Sequence, residues 1–146
     1  MTTETEEKKM GRFSVEVELS NNEDRVRFKD GGISADQVRR VRIRGVVDSG
    51  ATRLVIPQSV ALHLGLEVSG STTVRYADGR SADRTIVENL RLSYGGRESV
   101  FNAIVEPGRE SVLIGAIVLE DLDFLVDCLA QRLVPRDPKQ RISEVE

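Results

Sequence analysis

The sequence predicts an all-β domain, a small closed or nearly closed barrel with one or two short helices. Short stretches of alternating apolar and polar residues recur along the chain, and turn pairs such as Asn21-Asn22, Asp78-Gly79, Gly95-Gly96 and Pro107-Gly108 separate them. Only two stretches have the length and pattern of helices. The 146 residues, 39% of them apolar, suit one domain with its own core.

Residues 1–10 are polar and charged without periodicity and are expected to be a disordered lead. Phe13, Val15, Val17 and Leu19 alternate with polar residues, which predicts a half-buried strand ended by Asn21-Asn22. Arg25-Val26-Arg27-Phe28 alternates again and is closed by Asp30-Gly31-Gly32, so a second strand and a hairpin are expected there. In residues 38–44 arginines alternate with aliphatics, the pattern of a strand with one wet face that leads into Val46-Val47-Asp48. Past a loop at residues 49–52, Arg53-Leu54-Val55-Ile56-Pro57 returns to strand composition. Pro57 suits a first helical position, and residues 58–64 continue a short helix stopped by Gly65.

Residues 68–76 are rich in β-formers, Ala77-Asp78-Gly79-Arg80 is a hairpin turn, and residues 81–87 form the return strand. Asn89 to Tyr94 and the run ending at Val105 make another hairpin around Gly95-Gly96. Val112-Leu113-Ile114-Gly115 is an apolar run closed by glycine, followed by a short helix over residues 116–122 and a strand over 124–127. Asp127 follows apolar residues as Asp48 does, yet Cys128-Leu129 replaces the hydroxyl and glycine, so it reads as a strand-end acid. Residues 136–146 are a polar tail, frayed or engaged with a second copy.

Composition excludes several chemistries. With 24 acidic against 21 basic residues the net charge is −3, which argues against a nucleic-acid partner. The arginines of residues 39–44 lack the aromatic platform or glycine cradle that phosphate or base binding uses. One histidine and one cysteine are too few for a zinc site or a Cys-His pair, so no metal and no cofactor is expected. His63 reads as a surface or packing residue, and Cys128, in an apolar stretch, as a buried thiol. No apolar run reaches membrane-spanning length and the N-terminus is acidic, so the protein is expected to be soluble and cytoplasmic, with no membrane partner.

The stretch that carries chemistry is Val46-Val47-Asp48-Ser49-Gly50-Ala51-Thr52. A strand that runs into a lone acid, a hydroxyl and a glycine places Asp48 on a tight loop, where main-chain N–H groups and a hydroxyl can hold the carboxylate. Asp-Ser-Gly is also an ordinary turn tripeptide. What sets this one apart is its apolar flank on each side and the second signal at residues 112–115.

Together, Val47-Asp48-Ser49-Gly50-Ala51-Thr52 and Leu113-Ile114-Gly115 resemble the paired motifs of the retropepsin-like aspartic proteases, in particular their single-domain bacterial relatives. The resemblance covers residues 11–135, with Ser49 where Thr is commoner. It implies an acid-protease barrel with Asp48 as the catalytic acid, supported by Ser49, Gly50, Ala51 and Thr52, with Leu113, Ile114 and Gly115 packed beside the loop. It also implies that the hairpin tip Tyr76-Ala77-Asp78-Gly79 is a flap that closes over a peptide or protein substrate. Pepsin-type chains carry two Asp-Thr/Ser-Gly loops, whereas this chain has one, so catalysis implies a symmetric homodimer. A non-catalytic dimeric peptide-binding module with the same fold is the alternative, and an intact Asp-Ser-Gly leans against it.

Overall fold

A computed structural model describes residues 12–146; the expected lead over residues 1–10 lies outside the described residues. In chain order the elements are β1 (Arg12–Asn21), α1 (Asn22–Lys29), a 3₁₀ turn (Ala35–Gln37), β2 (Arg40–Asp48), β3 (Leu54–Pro57) and α2 (Gln58–Leu64). There follow β4 (Val68–Arg75), β5 (Ser81–Tyr94), β6 (Arg97–Glu106), β7 (Val112–Ile114), α3 (Ala116–Leu122), β8 (Phe124–Asp127) and β9 (Arg132–Pro135). Six strands pair in the order β1-β2-β7-β3-β6-β5, and β5 returns to β1 through pairs such as Leu19 with Leu92. The described chain is thus mostly β, a closed six-stranded barrel with three short α-helices; β4 is added on the outer edge of β5, and β8-β9 form a separate hairpin.

Alternation in β1 and β2 decides what the barrel encloses. Val17, Leu19 and Val47 are buried and Phe13, Val15, Val41 and Ile43 pack against them, while the even-numbered residues between them face outward. Leu54, Ile56, Leu90, Leu92, Ile114 and Leu122 are among the other side chains of the same core. Each such side chain contributes about 2 kcal/mol by leaving water. In mid-β2, a Cβ on residue 45 would lie 2.6 Å from Ile114 Cδ1, so Gly45 leaves the space that Ile114 fills.

Residues 25–28 are helical, not the expected strand, because a capped helix start outweighs a four-residue alternation. The Asn21 side chain accepts from Asp24 N at 3.0 Å, Glu23 and Asp24 sit in the first turn, and Arg27 and Lys29 in the last. Buried Asp24 then takes three bonds from Arg39, Nε to Oδ2 at 2.8 Å, Nη2 to Oδ1 at 3.0 Å and the main-chain N to Oδ2 at 3.1 Å. α1 also makes the helix count three where one or two were expected.

The return strand and the strand after it are one element, β5, bent by a bulge at Glu88-Asn89: Val87 pairs with Ala103 and Leu90 with Phe101. Asn89 has φ +62° and donates to Glu23 Oε1 at 3.1 Å. Cys128 is exposed, not buried, because the apolar strand stops at Asp127, whose Oδ1 accepts from Ala130 N and turns the chain. Residues 136–142 are tied down where a frayed tail was one expectation: Asp123 accepts from Arg136 Nε at 2.7 Å and from Ile142 N at 2.9 Å, and buried Arg97 donates to the carbonyls of Asp137 and Gln140. No helix of the described residues is long and apolar enough to cross a membrane.

Candidate active site

Asp48 ends β2, and its side chain is 16% exposed. Gly50 N donates to Asp48 Oδ1 at 3.0 Å, and Ala51 N donates to the Asp48 carbonyl at 3.1 Å, so the carboxylate turns back over its own loop. The other oxygen, Oδ2, lies 3.1 Å from Arg12 Nη2. Strand register makes that contact, because Arg12 and Asp48 are direct partners in the β1-β2 ladder. Ser49 is exposed, and its hydroxyl has no partner among the described residues.

The loop is fixed from below by β7 and α3. β7 lies between β2 and β3, pairing Val47 with Ile114 on one side and Leu54 with Ile114 on the other. The first amides of α3 donate back to the loop, Ala116 N to Ala51 O at 2.8 Å and Ile117 N to Thr52 O at 3.0 Å. This stitching leaves no room at residue 115. A Cβ there would lie 2.5 Å from Arg53 O and 2.8 Å from Ala51 O. Residues 48–52 and 113–115, sixty positions apart, therefore form one unit.

Tyr76, Ala77, Asp78 and Gly79 lie at the tip of the β4-β5 hairpin. Tyr76 N donates to Arg80 O and Gly79 N to Tyr76 O, with Gly79 at φ +88°. The tip is tied to the barrel through Glu106 at the end of β6: Tyr76 Oη donates to Oε2 at 2.8 Å, and Arg84 Nε donates to Oε1 at 2.7 Å. That bond to Glu106, with burial, raises the Tyr76 phenol above its ordinary value, because the carboxylate opposes a second negative charge beside it.

Two further residues belong to the setting of the acid and were not singled out by sequence. Arg12 needs the β1-β2 register to be found. Half-buried Arg109, in the turn between β6 and β7, is visible only once the loop is folded. Burial, and then the nearby Arg12 charge, lowers the Arg109 guanidinium from its ordinary value. Arg44, Gly108, Arg109, Glu110 and Ser111 line an open cavity of about 570 Å³. Another of about 680 Å³ lies on a different part of the surface, bounded by Arg53, Glu88, Val100, Ile117 and Asp121. No group of His, Cys, Asp or Glu among the described residues is arranged to hold a metal ion.

The model of the aspartyl protease family matches residues 31–126. No curated protein matches the chain. Among solved structures, the EIAV protease in complex with the inhibitor HBY-793 is similar, with a TM-score of 0.55 and 15% identity over 84% of this chain and 92% of that one. The solution structure of the simian foamy virus (mac) protease has a TM-score of 0.48 and 14% identity, over 73% of this chain and 91% of that one.

Proposed function

Because the chain belongs to the aspartyl protease family, we propose that it is an aspartic endopeptidase whose working form is a symmetric homodimer, with Asp48 of each copy forming the catalytic pair. The observation that carries this reading is the locked loop. An acid held by the Gly50 amide, on a turn stitched to α3 through residues 51 and 52, is an acid kept in a set direction. A family member with a single such loop has half of a two-carboxylate site, and a twofold axis supplies the other half.

In the pair, two close carboxylates share one proton. The ionised one takes a proton from a water between them as the water oxygen attacks the substrate carbonyl carbon. The protonated one gives its proton to the carbonyl oxygen, and a tetrahedral diol forms. Collapse breaks the C–N bond, one diol hydroxyl returns its proton to a carboxylate, and the amine leaves with the proton first taken from water. Water is consumed, and no covalent enzyme intermediate forms. The exposed Ser49 hydroxyls join the two loops, and the β4-β5 hairpin serves as the flap over an extended peptide.

A peptide-library digest read by mass spectrometry, run from acid to neutral pH beside Asp48→Asn, tests this. Cleavage that disappears in the variant supports the reading; cleavage that persists in it, or no cleavage by the wild-type protein at any pH, removes it.

A further inference from the structure

Three guanidiniums stand around the mouth of the Asp48 loop in a protein of net charge −3. Arg44, Val46 and Asp48 lie on the outer face of β2, and Arg12 lies opposite Asp48 on β1. At about 3.3 Å per residue, this face runs about 13 Å from the acid to Arg44, the span of about four residues of an extended peptide. Arg109, in the β6-β7 turn, lines one open cavity with Arg44, where the pairing of Gly45 with Val112 brings that turn alongside β2, and the charges of Arg12, Glu106, Arg44 and Asp48 all act on it.

The local acids do not balance these cations. Glu106 is engaged by Tyr76 and Arg84, and Glu16, the ladder partner of Arg44, pairs with Arg42 at 3.4 Å. Asp48 is held by Arg12. Glu110 lines the cavity with Arg44 and Arg109 but is exposed and pairs with neither. Arg109 spends Nε on Ser111 O at 2.7 Å and Nη2 on Ser111 Oγ at 3.4 Å, which orients the guanidinium without neutralising it. Among the described residues, Arg44 and Arg109 have no carboxylate partner. An oriented, half-buried guanidinium lacking its anion is a site for one, and a planar fork suits a carboxylate.

We propose that this mouth selects peptides with an acidic side chain within about four residues of the bond that is cut, Arg109 and Arg44 being the specificity-determining residues. The inference rests on the endopeptidase reading for the position of the substrate, but the binding it describes does not require turnover.

The test uses the wild-type chain and two pools of octapeptides with a reduced, uncleavable central bond, randomised alike except that one carries Glu where the other carries Gln. By fluorescence anisotropy at low salt the Glu pool is expected to bind about tenfold more tightly, the value of one added charge-assisted pair. The preference should shrink in Arg109→Gln and in Arg44→Gln, and also as salt shortens the screening length. Equal binding of the two pools, or a preference unchanged in both variants, overturns the proposal. The library digest separates the two readings. Cleavage with no enrichment of Asp or Glu near the cut removes the specificity and leaves the endopeptidase; acidic preference in binding without cleavage does the reverse.

Discussion

Arg12 and Asp48 are direct partners at the open end of the β1-β2 ladder, with the guanidinium 3.1 Å from the carboxylate oxygen that the Gly50 amide does not hold. In the single protomer the acid therefore has both oxygens engaged, one by its own loop and one by a neighbouring strand. The Arg12 side chain is 55% exposed, so the ion pair is screened and readily exchanged.

Arg12→Gln is accordingly expected to cost less than about 1 kcal/mol, seen as a small change in the midpoint of thermal unfolding. A drop of several times that size would mean that the ion pair holds β1 to β2, not merely that it touches the acid.

Gly115→Ala should behave very differently. The added methyl meets the Arg53 and Ala51 carbonyl oxygens, main-chain atoms that no rotamer change can move aside. A cost of about 1–3 kcal/mol is expected, together with displacement of the Asp48 loop. Thermal unfolding and the amide NMR signals of residues 48–52 would register both; an unshifted loop would show that α3 can slide away without disturbing the site.

Tyr76→Phe keeps the ring against Arg84 and removes only the hydroxyl bond to Glu106. Hydrogen exchange of the amides around residues 76–82 should speed up about fivefold, the worth of one hydrogen bond of about 1 kcal/mol. Exchange at the wild-type rate would mean that the hairpin tip is held by something other than this bond.

Acid should destabilise the fold through Asp24 and Asp123. Bonds from Arg39 lower the first below the ordinary aspartate value of 3.8, and the Ile142 amide followed by Arg136 lowers the second. A lowered folded-state value means that the stabilisation is complete above 3.8 and is lost as the pH falls through the lower values of the folded protein. The unfolding midpoint should be level near neutrality and fall below about pH 4. Asp123→Asn, which suits the left-handed backbone at φ +61°, should flatten part of that fall. An identical acid limb in the variant would exclude Asp123 as a cause.

The sequence shows the barrel best where local pattern and tertiary placement agree. β1, β2 and residues 89–93 of β5 alternate because one face of each looks into the core. Four alternating residues at 25–28 could not reveal that a cap at Asn21 and a partner in Arg39 for buried Asp24 would make a helix of them. The strings at residues 48–52 and 113–115 stand out by themselves, and the fold lays them side by side. Arg12 and Arg109 carry no such mark, since each matters only through a strand register or a folded turn.

Mixing is the most direct measurement of whether two chains build one site. Wild-type and Asp48→Asn protein are combined at a constant total concentration, allowed to exchange subunits, and assayed for peptide cleavage. If each site needs Asp48 from both copies, activity follows the square of the wild-type fraction and an equal mixture keeps about a quarter of it. Activity that falls in simple proportion, leaving about half, would mean that a single chain cuts peptide without its twin.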